Sequence, residues 1–272
     1  MNALAGAVAD ASLGPAARVA PLTTLVAVSV LTGVAMLWVV GRVSNQAGMA
    51  ASKRAIQAAV FEMRLFNDRL PALLGALGRA LAHNARYVGY TLVPLAWMTV
   101  PLVLLIAQLQ AFYGYTGLDE GASVVLTLRV GDEARVAGFS AVTLDAPAGV
   151  DVETPAVVLP GAGEVAWRLT PTVAGEHVVT VRVGPHAVTK TMYVGRGVAR
   201  RSPRRVGGSL IEQVLYPSEP PLPVEVGITE VRLAYPDATL SVVGLAVPWL
   251  VVFVVVSMAT AFALARRFGV VL

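Results

Sequence analysis

The 272-residue chain contains no cysteine and only three histidines, His83, His177 and His186. The absence of cysteine excludes disulfides, thiolate metal sites and cysteine nucleophiles. The three histidines lie far apart in the sequence and lack the spacing of metal ligands, so no zinc site is expected. The sequence also has no evident Ser-His-Asp or paired-carboxylate arrangement, and we predict no catalytic residue, no metal, no cofactor and no enzymatic activity.

Charge is scarce as well, because 14% of the residues are charged, against about 25% in soluble globular domains. Three runs carry no charged residue at all, and they hold 23, 32 and 28 residues. A helix needs about 20 apolar residues to cross the bilayer core, so each run is long enough for one span. The predicted transmembrane helices are residues 22–40, 89–112 and 243–265.

The distribution of charge predicts the orientation of these spans. The segment Arg42–Arg86 has seven basic and two acidic residues, and short loops rich in Lys and Arg stay in the cytoplasm. Residues 119–237 have 11 basic and 14 acidic residues and no such bias. We therefore predict a multi-pass protein of a bacterial cell (inner) membrane, with its N-terminus outside and its C-terminus in the cytoplasm.

The cytoplasmic segment, residues 41–88, reads as a hairpin of two helices, Met49–Phe66 and Arg69–Tyr87. Leucines at positions 70, 73, 74, 77 and 81 form an apolar stripe on the second helix, which predicts packing against the first. The basic residues indicate either docking of a ribosome, nascent chain or partner protein, or contact with anionic headgroups. The predicted docking residues are Lys53, Arg54, Arg64, Arg69, Arg79 and Arg86.

The second span contains Pro94 and Pro101, each of which removes a backbone hydrogen bond and bends a helix. Seven residues are about two turns, so both prolines lie on much the same face. This pattern predicts a bent helix that lines a groove with Thr91, Pro94, Met98 and Pro101, although a kinked span packed on its neighbours is the alternative. No ionisable residue lies within a span, which argues against a proton relay.

Residues 113–199 have a different pattern, with short β-branched runs separated by Gly and Pro. Six predicted strands at regular spacing favour an extracytoplasmic all-β sandwich of immunoglobulin type, with Trp167 in its core. The six strands are Ser123–Val130, Ala141–Leu144, Ala156–Leu159, Glu164–Leu169, His177–Val183 and Ala187–Val194. The predicted fold is thus a membrane α-helical protein with three spans and a cytoplasmic helical hairpin, plus this sandwich.

Residues 200–242 read as a basic and proline-rich linker that ends in a membrane-proximal strand near Ile228–Tyr235. That strand either joins the sandwich or forms a collar above the last span. The four arginines of the linker either contact lipid headgroups or are solvated, and headgroup contact is the prediction. They are Arg200, Arg201, Arg204 and Arg205. The ends of the chain are an outer tail, residues 1–21, and a cytoplasmic tail, residues 266–272.

The order of parts resembles the YidC-like superfamily of membrane-protein insertases, in particular its three-span members. The resemblance is carried by residues 54–101, where a charged helix, an Asn-Asp turn, a leucine-striped helix, an Asn and spaced prolines follow one another. It implies a groove between spans that admits polar parts of a substrate protein. Many members have an arginine in this groove, and the nearest candidate here is Arg42. The sandwich between the second and third spans is not part of the minimal pattern.

Two functions follow from these features. The first is a membrane-protein insertase or chaperone that binds nascent hydrophobic segments. The alternative is a structural or scaffolding subunit whose β domain recruits an extracytoplasmic protein. The expected partners are the bilayer, nascent membrane proteins or the ribosome at the hairpin, and an outer protein at the β domain. No direct DNA binding is expected.

Overall fold

The structure is a computed structural model that describes residues 20–66, 69–131, 142–207, 209–223 and 227–270. Most of the predicted outer tail, the Asn67-Asp68 turn and the last two residues lie outside these ranges. The chain divides into two compact units. The helical unit comprises Leu25–Val103 and Leu250–Leu272, and the β unit comprises Met1–Thr24 and Leu104–Trp249. Helices thus dominate the N-terminal half, and sheets dominate the C-terminal part.

Five helices follow one another along the described chain: α1 Pro21–Val43, α2 Gln46–Leu65, α3 Leu70–Tyr113, α4 Leu210–Leu215 and α5 Trp249–Leu264. Two of them, α1 and α3, are long and apolar enough to cross a membrane. Helix α5 is apolar but has only 16 residues, which corresponds to about 24 Å.

The third predicted span is therefore shorter than the sequence indicates. The helix begins at Trp249 and not at Val243, because Val243 and Gly244 form the turn of a β-hairpin that ends at Pro248. A charge-free run does not distinguish apolar strand from apolar helix. Proline fixes the boundary, since it is well tolerated next to the first helical residue but lacks the N–H that a continuing ladder needs.

The second predicted span also differs, because it has no break from the hairpin helix before it. Helix α3 runs through Gly89, Pro94 and Pro101 as one element of 44 residues, or about 66 Å. Nothing is near a Cβ placed at Gly89, and one glycine lowers helix propensity without ending a helix. The boundary predicted at residue 88 is therefore not a helix boundary.

Helices α2 and α3 form the expected antiparallel hairpin. Asn45 caps α2, where its side-chain oxygen accepts a hydrogen bond from the Gly48 N–H at 2.9 Å. Two contacts at opposite ends of the pair fix the direction. Arg79 pairs with Glu62 at 2.6 Å near the turn, and Gly48 lies against the Tyr90 ring at the far end.

Helices α1 and α5 pack in parallel. A Cβ placed at Gly33 would lie 2.6 Å from the Ser257 carbonyl oxygen, so the backbones approach closely at this point. Further along both helices, Leu37 packs in one cluster with Ala265 and Val270. Because the contacts advance in the same direction along both helices, α1 and α5 run the same way.

The β unit contains eleven described strands, and every paired strand is antiparallel to its partner. Their bounds are β1 Val124–Val130, β2 Val142–Asp145, β3 Val150–Val152, β4 Val157–Leu159, β5 Glu164–Pro171, β6 Gly175–Val183, β7 His186–Val194, β8 Arg204–Val206, β9 Ile228–Leu233, β10 Thr239–Val242 and β11 Leu245–Pro248. Each of the six strands predicted for the sandwich corresponds to one of these.

Two sheets share the core of the β unit. One has the order β3-β5-β1-β9-β8, with β4 also paired to β5, and the other has the order β2-β6-β7. Residues from both sheets, including Leu126, Trp167 and Val181, form a single buried cluster. Trp167 is 3% exposed, so its predicted place in the core is confirmed.

The segment predicted as a linker belongs to the larger sheet. Strand β9 lies between β1 and β8, which means that the sequence after residue 200 supplies two strands of the sandwich. Of the two alternatives for Ile228–Tyr235, joining the sandwich is therefore the one observed. Local charge and turn residues obscured this, because strand pairing across a long separation leaves no local signal.

Candidate functional site

Helix α3 carries a continuous row of exposed apolar side chains, which we name the leucine stripe. Its members are Leu70, Leu74, Leu77, Leu81, Val88, Leu92 and Leu95, each between 43% and 65% exposed. Their spacing of three, four or seven residues places them on one side of a helix. The stripe extends about 38 Å along the helix axis, and Asn84 is the polar residue within it. An apolar surface of this length marks a site of contact with lipid or protein.

A second face of the same helix, next to the stripe, carries the buried residues. Ala76 is fully buried there, and Leu73, His83 and Tyr87 are half-buried. On α2 the buried residues are likewise small or flexible, namely Met49, Ser52 and Ala59.

The exposure of the leucines differs from the predicted packing of the hairpin. Of the five leucines expected to face α2, Leu73 is half-buried, whereas Leu70, Leu74, Leu77 and Leu81 are exposed. An apolar stripe predicts burial only if water is the alternative environment. The first helix adds further exposed apolar groups near the turn: Phe61 is 68% exposed and Leu65 is 73% exposed.

The six basic residues predicted for docking are all exposed: Lys53, Arg54, Arg64, Arg69, Arg79 and Arg86. Arg79 and Arg86 are seven residues apart on α3 and lie on the side away from the leucine stripe. Arg79 also pairs with Glu62, but both side chains are well exposed and such a pair contributes little stability. Helix α3 thus presents an apolar side and a basic side.

The residues predicted to line a groove share one face of α3 but differ in burial. Pro94 and Met98 are buried, while Thr91 and Pro101 are exposed. The Thr91 hydroxyl donates to the Tyr87 carbonyl within its own helix at 2.8 Å. Arg42 lies in the last turn of α1, where its guanidinium stacks 5.3 Å above the Trp38 ring.

A shallow depression on α3 was missed by the sequence analysis. It is lined by Ala96, Trp97, Val100 and Pro101, and Trp97 is 70% exposed. The lining is apolar, so this depression suits a lipid chain or an apolar side chain rather than a polar segment. A tryptophan in the middle of an uncharged run, away from the usual interfacial positions, is the signal that could have identified it.

The four arginines predicted to contact headgroups are instead bound to acceptors within the β unit. Arg200 donates to the Pro217 carbonyl at 2.6 Å, and Arg201 donates to the Tyr115 and Gly197 carbonyls at 2.9 and 2.7 Å. Burial lowers the pKa of the Arg201 guanidinium from its ordinary value. Arg201 thus ties the segment after β7 to Tyr115, which follows α3, and Arg200 ties it to Pro217 in the proline-rich segment.

The other two arginines hold the proline-rich segment and β9. Arg204 binds both carboxylate oxygens of Glu230, at 2.5 and 3.0 Å, and Arg205 donates to the Pro220 carbonyl at 2.9 Å. Burial alone would raise the pKa of Glu230, but its hydrogen bonds with Arg204 and Arg232 outweigh burial and hold that pKa below its usual range.

A buried ion pair between Lys190 and Glu219 also holds the proline-rich segment against β7. The Lys190 side chain is 1% exposed, and its ammonium donates to the Glu219 carboxylate and, at 2.7 Å, to the Ser202 carbonyl. Glu219 also accepts the Thr191 N–H at 2.8 Å. Burial lowers the pKa of Lys190, and the Glu219 carboxylate opposes part of that effect. Every polar atom of this cluster has a partner, so the cluster fastens the chain to the sandwich.

The β unit also contains a pocket of about 480 Å³, a volume within the range of small-molecule sites. Asp119, Arg196 and Arg201 supply its charges, and the aromatic rings of Phe112 and Tyr113 also line it. The pocket lies where α3 ends and the sandwich begins. Its mixture of charges suits a zwitterionic or peptide ligand rather than a purely apolar one.

The described part of the chain contains no group of three or more His, Cys, Asp or Glu side chains that could hold a metal ion. The chain matches no protein-family model, and it has no significant match among curated proteins or solved structures. Its functional interpretation therefore depends on its own surfaces, of which the leucine stripe is the most extended.

Proposed function

We propose that the chain is an integral membrane protein in which α1, α3 and α5 cross the bilayer. The lengths of α1 and α3 support two of these spans. The parallel packing of α1 and α5 supports the third, because two parallel spans require one crossing in the other direction between them. The placement is a cell (inner) membrane, with the basic α2–α3 hairpin in the cytoplasm and the β unit, an immunoglobulin-like sandwich, outside.

The function that the surfaces support best is that of a membrane-protein insertase or chaperone. One observation carries this proposal: the leucine stripe runs from the hairpin turn into the first part of the second span, and Asn84 is its one polar interruption. A membrane anchor needs apolar residues only within the bilayer. Exposed leucines that continue about 28 Å beyond it, toward the turn, require a further apolar partner.

In this account, nascent hydrophobic segments contact Leu70, Leu74, Leu77 and Leu81 in the cytoplasm and then move along Val88 and Leu92 into lipid. The basic side of the hairpin faces the anionic leaflet or the ribosome. No bond is made or broken, so no cofactor is required. The resemblance to the YidC-like insertases agrees with the hairpin and the order of the spans. It agrees less well with the site, because Arg42 lies outside the stripe.

A scaffold is the second candidate, and the pocket at Asp119 and Arg196 favours it. In a scaffold the spans serve as anchors, and an outer partner binds the β unit. The two functions place the essential residues in different units, so mutation of one unit at a time separates them.

The test uses proteoliposomes that contain the full chain and a translation reaction that makes a short single-span substrate. The triple variant L74S, L77S and L81S removes three exposed leucines from the stripe. The matched control V157S, V158S and L159S removes three exposed apolar residues from strand β4. Loss of roughly 1 kcal/mol of contact at each leucine would weaken substrate binding about a hundredfold.

The proposal predicts that carbonate-resistant insertion falls severalfold with the stripe variant and is unchanged with the control. Equal insertion by both variants and by empty liposomes would refute it. Unchanged insertion with the stripe variant, together with loss of a stable co-purifying partner when Asp119→Ala and Arg196→Ala are combined, would favour the scaffold.

A further inference from the structure

The β10–β11 hairpin ends in an unusual turn. The strands pair from Thr239↔Pro248 to Val242↔Leu245, which leaves Val243 and Gly244 as a two-residue loop. Both residues have positive φ, 51° for Val243 and 81° for Gly244. Turns of this kind normally use Asn, Asp or Gly at both positions. Among the described residues, Val243 is the only one other than glycine that has a positive φ.

A β-branched residue in this conformation is strained, and such strain persists where the surroundings or a function require it. The surroundings do not require it here, because the Val243 side chain is 98% exposed and Leu245 is 69% exposed. A polar turn residue would relieve the strain and remove apolar surface from water. The sequence therefore retains a valine where local folding favours asparagine, which points to a function for the apolar tip.

The position of the hairpin in the chain indicates what covers this tip. Strand β11 ends at Pro248, and α5 begins at the next residue, Trp249. The Trp249 indole N–H donates to the Gln110 side-chain oxygen at 2.9 Å, which fixes the start of α5 beside the last turns of α3. Val243 lies six residues before Trp249, so the tip is within about 20 Å of the start of α5.

We infer that the Val243 tip inserts into the interfacial layer of the outer leaflet and anchors the base of the β unit there. This inference depends on the membrane placement proposed above and adds a lipid contact outside the three spans. Residues 238–265 contain no charge, so neither the hairpin nor α5 meets an electrostatic barrier in lipid.

The headgroup layer is the depth that suits this hairpin. A two-stranded ribbon has unpaired N–H and C=O groups along both edges, and these are tolerated among headgroups and water but not in hydrocarbon. A protein partner fits less well, because stable protein interfaces bury about 800 Å² on each partner. Two exposed apolar side chains on a narrow tip are far from sufficient for that.

The test exploits the absence of cysteine in the chain, which makes any introduced cysteine unique. An environment-sensitive fluorophore is attached to V243C, V178C or V255C in the full chain reconstituted into vesicles. Val178 is 47% exposed on β6, and Val255 is 60% exposed on α5. Quenching by lipids brominated near the headgroup and by aqueous iodide reports the environment of each label.

The expected result is that labels at positions 243 and 255 are quenched by brominated lipid, and the label at 178 only by iodide. Lipid quenching at 255 with iodide quenching at 243 would overturn this inference and leave the membrane placement intact. Iodide quenching at both positions would overturn the membrane placement as well. A label at 243 that is shielded from both quenchers would show a protein partner and would also overturn the inference.

A second variant excludes an effect of the label itself. With the fluorophore at L245C, the added substitution V243N is expected to decrease lipid quenching severalfold. The thermal midpoint of the full chain should not fall, because asparagine tolerates positive φ better than valine. Unchanged lipid quenching with V243N would overturn the assignment of the valine as the inserting group.

Discussion

Several leucine and arginine side chains are buried or hydrogen-bonded in the β unit, whereas most of those in the α2–α3 hairpin of the helical unit are exposed. In the β unit Leu126, Leu128 and Leu169 are completely buried, whereas in the helical unit Leu74, Leu77 and Leu81 are 43–61% exposed. The linker arginines donate to acceptors within the β unit, whereas the hairpin's basic side chains are exposed. A domain that folds in water must bury its leucines and satisfy buried arginines.

A helix whose surroundings are lipid or a client protein has no such requirement, because apolar surface is not penalised there. The β unit thus uses its apolar and basic residues for its own stability, whereas the helical unit leaves both residue types on its surface. The following predictions test this contrast in thermal denaturation of the full chain in detergent, in order of expected effect.

The largest effect is expected at the buried ion pair of the β unit. E219L removes the partner of Lys190 and leaves a buried charge uncompensated, which costs about 3–5 kcal/mol. The double variant K190M and E219L should lose less than the sum of the two single variants, because no isolated charge is left. Additive losses would mean that the two side chains do not interact in the folded protein.

The next largest effect is expected from truncating a leucine, and its size should differ between the two units. L128A creates a cavity in a fully buried site and is expected to cost about 2–5 kcal/mol. L77A removes a side chain that is 43% exposed on the stripe, and the cost is expected to be below about 0.5 kcal/mol. A comparable loss with L77A would show that the stripe packs inside the protein, contrary to the contrast.

Glycine substitution gives the smallest effect and tests the contrast within the helical unit. G33A puts a Cβ 2.6 Å from the Ser257 carbonyl oxygen, which cannot move without the backbone, so we expect a loss of about 1–3 kcal/mol. G78A meets nothing within 4 Å and should instead stabilise α3 by about 0.5–1 kcal/mol. A G33A variant as stable as the unchanged chain would mean that α1 and α5 do not pack as described.

The sandwich could be predicted from the sequence, because alternating β-branched runs and turn residues are local signals. Trp167 was placed correctly for the same reason. The role of Arg204 and Arg205 could not be predicted, because their partners Glu230, Pro220 and Thr189 are far from them in the sequence. Strand pairing and chain folding bring these partners close. A basic cluster in sequence does not show whether acidic or carbonyl acceptors will face it.

The candidate site was predicted in composition but not in geometry. The spacing of the leucines identified the stripe, but the prediction that it packs on α2 was wrong for the four exposed leucines. The buried residues of the hairpin include Ala76 and Ala59, and these small side chains carry too little hydrophobicity to dominate a pattern. The start of α5 was misplaced because an apolar hairpin and an apolar helix have the same charge-free composition.

The central claim is that the leucine stripe contacts nascent hydrophobic segments. Its most direct test is site-specific photocrosslinking in growing cells, with probes at Leu77 and Leu92 on the stripe and at Ala82 and Val93 off it. All four positions are exposed on α3, so accessibility is matched. We predict crosslinks to many different nascent membrane proteins at Leu77 and Leu92, and few at Ala82 and Val93. Crosslinks to one fixed partner, or equal yields at all four positions, would contradict it.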